Sequence, residues 1–418
     1  MTTCRYCAAS LSISFADLGE TPLANSYLAP DAAAIAAEQS YPLHVMACSS
    51  CRLVQTTETV PADAIFDHDY AYLSSYSSSW VAHAKRYAEA MTARFDLRPD
   101  HLVAEIASND GYLLQHFVAA GIPVLGIEPA GHAAELAEDR RVPTRVDFFN
   151  AATATDLVTS GPRADLIAAN NVLAHVPDIR DFVAGFPIFL APEGVLTFEF
   201  PHLLNLIREV QFDTIYHEHY SYLSLLFVER LLEDAGLRVF DVEELPTHGG
   251  SLRVFACHHG ASHQEQPGAA KVRANETAAR LDNDDAYEAF GARIRAVCDG
   301  FLDFLGQAET QGKSVAAYGA AAKGNTFLNV CGVGADTHRG RHGAAARHHA
   351  GAAAAGGGRP WPSRQPSASV VSTTMVRARR AAAVGVRAQA DSGSHQYISA
   401  TAMLASRTGK AMTPVIRR

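Results

Sequence analysis

Between residues 101 and 202 two kinds of apolar pattern alternate along the chain. HLVAEIAS (101–108), IPVLGIEPA (122–130), ADLIAANN (164–171) and GVLTFEFPH (194–202) are short, nearly continuous apolar runs closed by turn residues. Such runs read as strands buried on both faces. YLLQHFVAAG (112–121), GHAAELAEDR (131–140) and DFVAGFPIFLAPEG (181–194) instead read as helices, the first ended by Gly121. Strands alternating with helices at this spacing predict an α/β domain, a parallel sheet with helices on both faces. Residues 62–98 read as mainly helical. LLFVERLLEDAG (225–236) predicts a helix, followed by two strands around His248-Gly249-Gly250 that complete the sheet as an antiparallel pair. Residues 265–310 are again helical in pattern, and KSVAAYGAAAKGNTFLN (313–329) reads as a strand, a glycine-bearing turn and a helix start, the opening of a second α/β unit.

Composition adds a boundary. The 418 residues are 48% apolar and 19% charged, ordinary for a globular protein with a sizeable core. No apolar run approaches the ~20 residues that span a bilayer. The opening MTTCRYCAAS lacks the basic-then-apolar order of a secretory signal. A cytoplasmic protein with no membrane partner is expected, and a net charge of −9 argues against nucleic acid. The charge is uneven: residues 335–418 hold 13 Lys and Arg and only two acids, Asp336 and Asp391. This Ala-, Gly- and Arg-rich stretch has neither helical nor strand periodicity. It is expected to be a basic disordered tail or a segment translated out of frame, so that the last α/β domain is truncated.

Cys4-Arg-Tyr-Cys7 and Cys48-Ser-Ser-Cys51 are two C-x-x-C knuckles. Four thiolates so spaced suit one tetrahedral zinc, and with every ligand position filled the metal is structural. Cys257, Cys298 and Cys331 stand alone. In a doubly wound sheet ligands sit beyond the carboxyl ends of the strands. There lie Glu105, the turn Ser108-Asn109-Asp110-Gly111, and Glu128 before Pro129, placed to accept ribose hydroxyls. With one glycine the turn does not suit the pyrophosphate of NAD, which needs close backbone approach at several glycines. S-adenosylmethionine, which has no phosphate, fits better. Asn170, Asn171 and His175 follow the third strand at the same edge.

Together the two knuckles, EIASNDGYLL…GIEP, NNVLAHVPD and TIYHEHYSYLS…HGGSLRVF resemble the three-domain sugar C-methyltransferases of deoxysugar pathways, over residues 1 to about 334. The resemblance implies a zinc-binding domain (1–60), a helical connector reaching the active site (61–98) and a class I, Rossmann-like methyltransferase domain (99–262). It further implies the start of a Rossmann-like substrate domain (263–334), before the tail (335–418). It implies S-adenosylmethionine and a dTDP-linked 4-keto sugar methylated at C3, with His219 as base. Tyr70 and His175 match further active-site residues of that family.

The chemistry needs a base near C3 and a donor near the C4 oxygen, where enolate charge develops. In YHEHYSY, His219 is a suitable base, Glu218 a group to orient it, and Tyr216 and Tyr222 donors to the enolate or a sugar hydroxyl. If the segment is extended, Tyr216, Glu218 and Tyr220 share one face and His217, His219 and Ser221 the other. His248, Gly249 and Ser251 are expected on the sugar side. Gly319 to Thr326, with Lys323 and Asn325, resembles an anion cradle for the diphosphate. A zinc hydrolase is disfavoured because His217 and His219 are two apart, not four. A monomer is expected. An O- or N-methyltransferase of a small molecule, needing no carbon base, is the nearest alternative, and a truncated inactive chain the next.

Overall fold

The computed structural model describes residues 2–25, 37–57, 73–316 and 322–334, with residues 33, 60 and 403–405. Tyr70, Gly319, most of the connector's first half and nearly all of the basic tail lie outside the described residues. The chain forms two compact units that are not consecutive in sequence. The first comprises Met1–Phe15, Val45–Glu209 and Glu218–Ala289; the second comprises Ala16–His44, Val210–His217 and Phe290 onward.

The first unit is built on a seven-stranded sheet. Its strands are β4 (Val103–Ile106), β5 (Val124–Ile127), β6 (Thr144–Arg145), β7 (Ala164–Asn170), β8 (Leu190–Pro201), β10 (Leu237–Leu245) and β11 (Ser251–His258). The order is β10-β11-β8-β7-β4-β5-β6. β4 pairs in parallel with both β5 and β7, Val103 facing Val124 on one side and Leu166 on the other. The order therefore reverses at β4, and the crevice of a doubly wound sheet opens at the carboxyl ends of β4 and β7. β11 runs antiparallel to both β8 and β10, the pair expected around His248-Gly249-Gly250. β4 is buried throughout and β7 nearly so, which is why both read as unbroken apolar runs.

The helices are α1 (Ser78–Arg94), α2 (Leu114–Ala119), α3 (Gly131–Asp139), α4 (Ala151–Ser160), α5 (Ile179–Phe189), α6 (Leu203–Glu209), α7 (Leu225–Asp234) and α8 (Pro267–Ala278). Tyr87, Met91, Leu113 and Phe117 cover one face of the sheet; Phe182, Phe186, Val228 and Leu231 cover the other. Ser77, Asn150, Asp178 and Ser224 cap α1, α4, α5 and α7 with side-chain oxygens, each a gain of about 1 kcal/mol. Strand β6 and helix α4 carry weak patterns and were not expected from the sequence.

A smaller sheet has the order β1-β2-β3-β9, from β1 (Ile13–Pro22), β2 (Ser40–Ala47), β3 (Val54–Thr56) and β9 (Ser221–Tyr222). Strand β3 follows the second cysteine knuckle and pairs antiparallel with β9, Gln55 opposite Ser221. In the second unit, α10 (Phe290–Thr310) precedes β12 (Ser314–Ala316) and α11 (Ala322–Val330); a one-turn helix, α9 (Asp285–Glu288), closes the first unit. Strand β12 pairs antiparallel with β13 (Met403–Ala405). Phe327 packs on Phe212 and Phe301, with centroids 5.6 and 4.9 Å away. Among the described residues no helix is long and apolar enough to cross a membrane.

Helix α7 owes its start to a distant residue. The N–H groups of Leu225 and Leu226 donate to Oε1 and Oε2 of Glu276 in α8, at 2.7 and 2.8 Å, and Phe227 N–H donates to Ser224 Oγ. The same carboxylate pairs with His202 Nε2 at 2.7 Å, in a buried setting. Glu276→Ala strands two helix donors and a buried imidazole. It is expected to cost about 3 kcal/mol, read as a lowered urea midpoint, with Glu276→Gln costing roughly half of that.

Candidate active site

The crevice end of β4 is a crowded polar turn. Ala107, Asn109 and Gly111 all have positive φ (57°, 49° and 74°), so the chain doubles back tightly after the strand. A side chain at Gly111 would press on Ala137 of α3 at 3.2 Å, which adds packing to the conformational reason for glycine. Glu128 braces this turn from the end of β5. Its Oε2 accepts from Asn109 N–H at 2.8 Å and its Oε1 from Ala130 N–H at 2.9 Å, stepping over Pro129, which has no N–H. Burial raises its pKa, and the two backbone donors oppose that.

Glu105 is more extreme. Burial drives its carboxyl well above the ordinary range; a hydrogen bond with Tyr112 opposes this, while Glu128, Asp110 and Glu199 add to it. Its Oε2 finds no hydrogen-bond partner among the described residues. The same holds for Ser108 Oγ, Asp110 Oδ1, Asn170 Oδ1 and Asn171 Oδ1. Five buried orphan atoms at the carboxyl ends of β4 and β7 fit a polar ligand, since each unmade hydrogen bond costs about 1–3 kcal/mol. Acceptors and carboxyls outnumber cationic groups here, which suits a ligand bearing positive charge and hydroxyls, as S-adenosylmethionine does.

A second cluster escaped the sequence reading. Glu199 of β8 faces Asn170 across the parallel pairing and Arg253 across the antiparallel one. Arg253 donates to Glu199 Oε1 through Nε and Nη2 at 2.8 and 2.5 Å, and His83 Nε2 donates to Oε2 at 2.9 Å. Burial alone would raise the Glu199 pKa, but His83 and Arg253 outweigh it and the net shift is downward. The His83 ring stacks on Trp80 at 4.8 Å, and Trp80 meets Tyr112 at 6.1 Å and His248 at 5.3 Å. The signal that could have found this cluster is a lone Glu in VLTFEF and a lone Arg in SLRVFA, opposite charges inside two strands buried on both sides.

The YHEHYSY segment is not extended, which corrects the two-faced alternation. Phe212–Thr214 is a turn of 3-10 helix, Tyr216–Glu218 is a bend and turn, and only Ser221–Tyr222 is strand. A tight turn breaks the period-2 rule, so both His217 and Glu218 are buried while Tyr216 and His219 are half-buried. The boundary between the two units falls within this turn. Tyr216 and His217 belong to the second unit, where His217 Nε2 donates toward the carbonyls of Tyr41 and Pro42 at 3.3 and 3.2 Å. Glu218 and His219 belong to the first, and the His219 ring lies 4.7 Å from that of His175 and 6.3 Å from that of Tyr222.

His175 ends the 3-10 turn Leu173–His175 after β7. Its Nδ1 lies 2.9 Å from the Glu218 carbonyl, and a carbonyl only accepts, so Nδ1 carries the proton. Burial lowers its pKa to about 4, with the bond to Glu218 opposing, so the ring is neutral near pH 7. The unfolded side chain titrates near 6.5, so the unfolded chain binds the extra proton between about pH 4 and 6.5. The stability that neutral His175 contributes is complete above that window and is lost as pH falls through it. Urea midpoints measured from pH 4 to 7 should show this slope, and His175→Gln should flatten it.

On the expected sugar side, His248 takes a left-handed conformation (φ 53°) and Gly249 and Gly250 also have positive φ. Ser251 Oγ donates to the Thr247 carbonyl at 2.9 Å, locking that turn. Of the expected cradle, Lys323 and Asn325 lie in the first turn of α11, while the turn before it, with Gly319, falls outside the described residues. Asn325 Nδ2 donates to Ala24 O at 2.9 Å. Lys323 is pulled down by burial, with the nearby Asp213 carboxylate opposing.

The four knuckle cysteines come together. Their sulfurs all lie within 4.8 Å of one another, with Cys4–Cys51 and Cys7–Cys48 at 3.5 Å. That is far beyond a disulfide's ~2 Å and close to the roughly 3.8 Å between sulfurs of a tetrahedral zinc thiolate with 2.3 Å bonds. The donor set therefore fits zinc. Metal analysis of the purified protein should give about one zinc per chain, and Cys48→Ser should lower both zinc content and thermal midpoint.

Three family models match the chain: a zinc binding domain over residues 4–66, a methyltransferase domain over 80–242 and a C-methyltransferase C-terminal domain over 246–339. The C-methyltransferase NovU of Streptomyces niveus is 35% identical over 331 residues, covering 79% of this chain and 78% of that protein. Among solved structures, a SAM-dependent methyltransferase from Anabaena variabilis covers 48% of this chain and 100% of its own (15% identity, TM-score 0.37). The magnesium protoporphyrin IX methyltransferase of Synechocystis with bound SAH covers 43% and 83% (14% identity, TM-score 0.35).

Proposed function

The chain belongs to the C-methyltransferase family, as an S-adenosylmethionine-dependent enzyme with a zinc-binding N-terminal domain, and from that premise we propose that it methylates C3 of a dTDP-linked 4-keto deoxysugar through an enolate. The observation that carries this reading is the His219 ring packed against neutral His175 and near Tyr222. Carbon is a poor nucleophile until a proton leaves it, and a half-buried imidazole beside the cofactor edge is a group that takes one. The sequence motifs resembling sugar C-methyltransferases support the choice of acceptor.

Bound S-adenosylmethionine supplies an electrophilic methyl group on a sulfonium. Glu128 would hold the ribose hydroxyls, and Glu105, Ser108 and the Asn170–Asn171 pair would receive the remaining polar groups. His219 removes the C3 proton, whose electron pair moves into the ketone and places charge on the C4 oxygen. Tyr216 and Tyr222 donate to that oxygen or to a sugar hydroxyl, as oxyanion donors do. His175 uses its Nδ1 proton to fix the Glu218 carbonyl and so the backbone just before the base. Its low pKa keeps a second cation out of a site that already receives a sulfonium.

His219→Asn should abolish methyl transfer to a dTDP-4-keto sugar and stop solvent deuterium entering C3, while S-adenosylmethionine binds within about twofold of the parent. Undiminished turnover by that variant would remove His219 as base. Methyl transfer to oxygen or nitrogen without C3 exchange would favour a different acceptor atom.

A further inference from the structure

Arg5, one of the two residues between Cys4 and Cys7 of the first knuckle, is tied to the segment that carries His219. Its Nη1 donates to the Thr56 carbonyl at 2.7 Å, and its Nη2 donates to the Tyr220 carbonyl and, at 3.3 Å, to Ser221 Oγ. The guanidinium carbon also lies 5.8 Å from the Tyr220 ring centroid. Strand β3, which leaves the second knuckle, grips the same point: Thr56 N–H donates to the Tyr220 carbonyl at 3.1 Å, and Gln55 stands opposite Ser221. Gln55 joins the two grips, accepting from Arg5 N–H at 2.9 Å and donating to Cys4 Sγ at 3.1 Å. One carbonyl, next in the chain to His219, is thus held by a donor from the first knuckle's turn and a donor from the strand that leaves the second.

The geometry points to Arg5 as a positioning residue that sets the orientation of His219, with the zinc knuckles serving as the rigid mount for the catalytic segment. The inference rests on His219 being the base. Zinc fixes the turn Cys4–Cys7 and hence the Arg5 backbone. The planar guanidinium then spans two carbonyls, that of Thr56 in β3 and that of Tyr220 just before β9, which a lysine ammonium cannot do with the same geometry. Strand β9, which begins directly after Tyr220, has two residues, so the hold on the Tyr220 carbonyl lies one residue from His219. A displacement of about 1 Å in a catalytic group can cost a hundredfold in rate.

The test compares Arg5→Lys and Arg5→Ala with the parent in four measurements: zinc content, S-adenosylmethionine affinity, the split of kcat from KM, and amide hydrogen exchange of the peptides covering 54–56 and 218–223. The expected result is one zinc per chain, cofactor affinity within twofold and sugar nucleotide KM within about threefold. kcat and C3 deuterium exchange should fall together, by at least tenfold in Arg5→Ala and less in Arg5→Lys. Protection at 218–223 should drop while that at 103–111 stays. Parent-like kcat in zinc-loaded Arg5→Ala overturns the proposal, as does a rate loss that follows zinc loss alone. If Arg5→Ala does not fold, Arg5→Lys and the parent stripped of zinc by chelator decide, through protection at 218–223 against 103–111; equal protection with and without metal overturns the mount. Should His219→Asn turn over normally, the base reading fails, and the exchange data still judge whether Arg5 anchors the segment.

Discussion

Much of this molecule hangs on the pairing of two short strands, Val54–Thr56 and Ser221–Tyr222. Five residues bring together a cysteine knuckle and a segment some 165 positions later in the chain. On one side of that pairing stand the zinc ligands; on the other, the residue before Ser221 is held by its carbonyl and the residue before that is His219. Backbone hydrogen bonds are cheap individually, about 1 kcal/mol net. Their value here is directional: they fix where a chain that has just left a turn re-enters ordered structure.

The carboxylates at the sheet's crevice end show how one fold treats like groups differently. Glu128 is satisfied by two backbone N–H groups, Glu199 by an imidazole and a guanidinium, and Glu105 by a phenol with one oxygen left over. All three are buried. Glu199 keeps its charge because Arg253 and His83 compensate it, whereas Glu105 is driven toward its neutral form until a cation stands nearby. A sulfonium or an ammonium beside Glu105 would oppose that shift by favouring the carboxylate.

The parallel sheet, the antiparallel pair around His248-Gly249-Gly250 and the four-cysteine cluster were all legible in the sequence, because each depends on local pattern: continuous apolar runs, turn glycines, and cysteines three apart. Glu105, Glu128, Asn170 and Asn171 could be placed for the same reason, since strand ends fix which residues reach the crevice. The rest depends on what the chain meets after folding. Whether YHEHYSY is extended or turned is decided by where β9 finds β3, and nothing within the motif encodes that. The Glu199–Arg253–His83 cluster joins residues from three separate elements, and Arg5 looks like a generic knuckle residue until its reach to Tyr220 is known.

The span between Arg5 and Tyr220, 215 positions, has a bearing on how the protein is made. The knuckles are complete in sequence at Cys51, yet the strand that covers the outer edge of β3 is not translated until residues 221 and 222. At about 5–20 residues per second that interval is on the order of ten seconds or more. Throughout it the nascent zinc sheet carries a naked edge, the kind of row of unpaired backbone groups that recruits strands from other chains. The segment that carries the proposed base thus also covers that edge, so one pairing event both places His219 and closes the edge of β3.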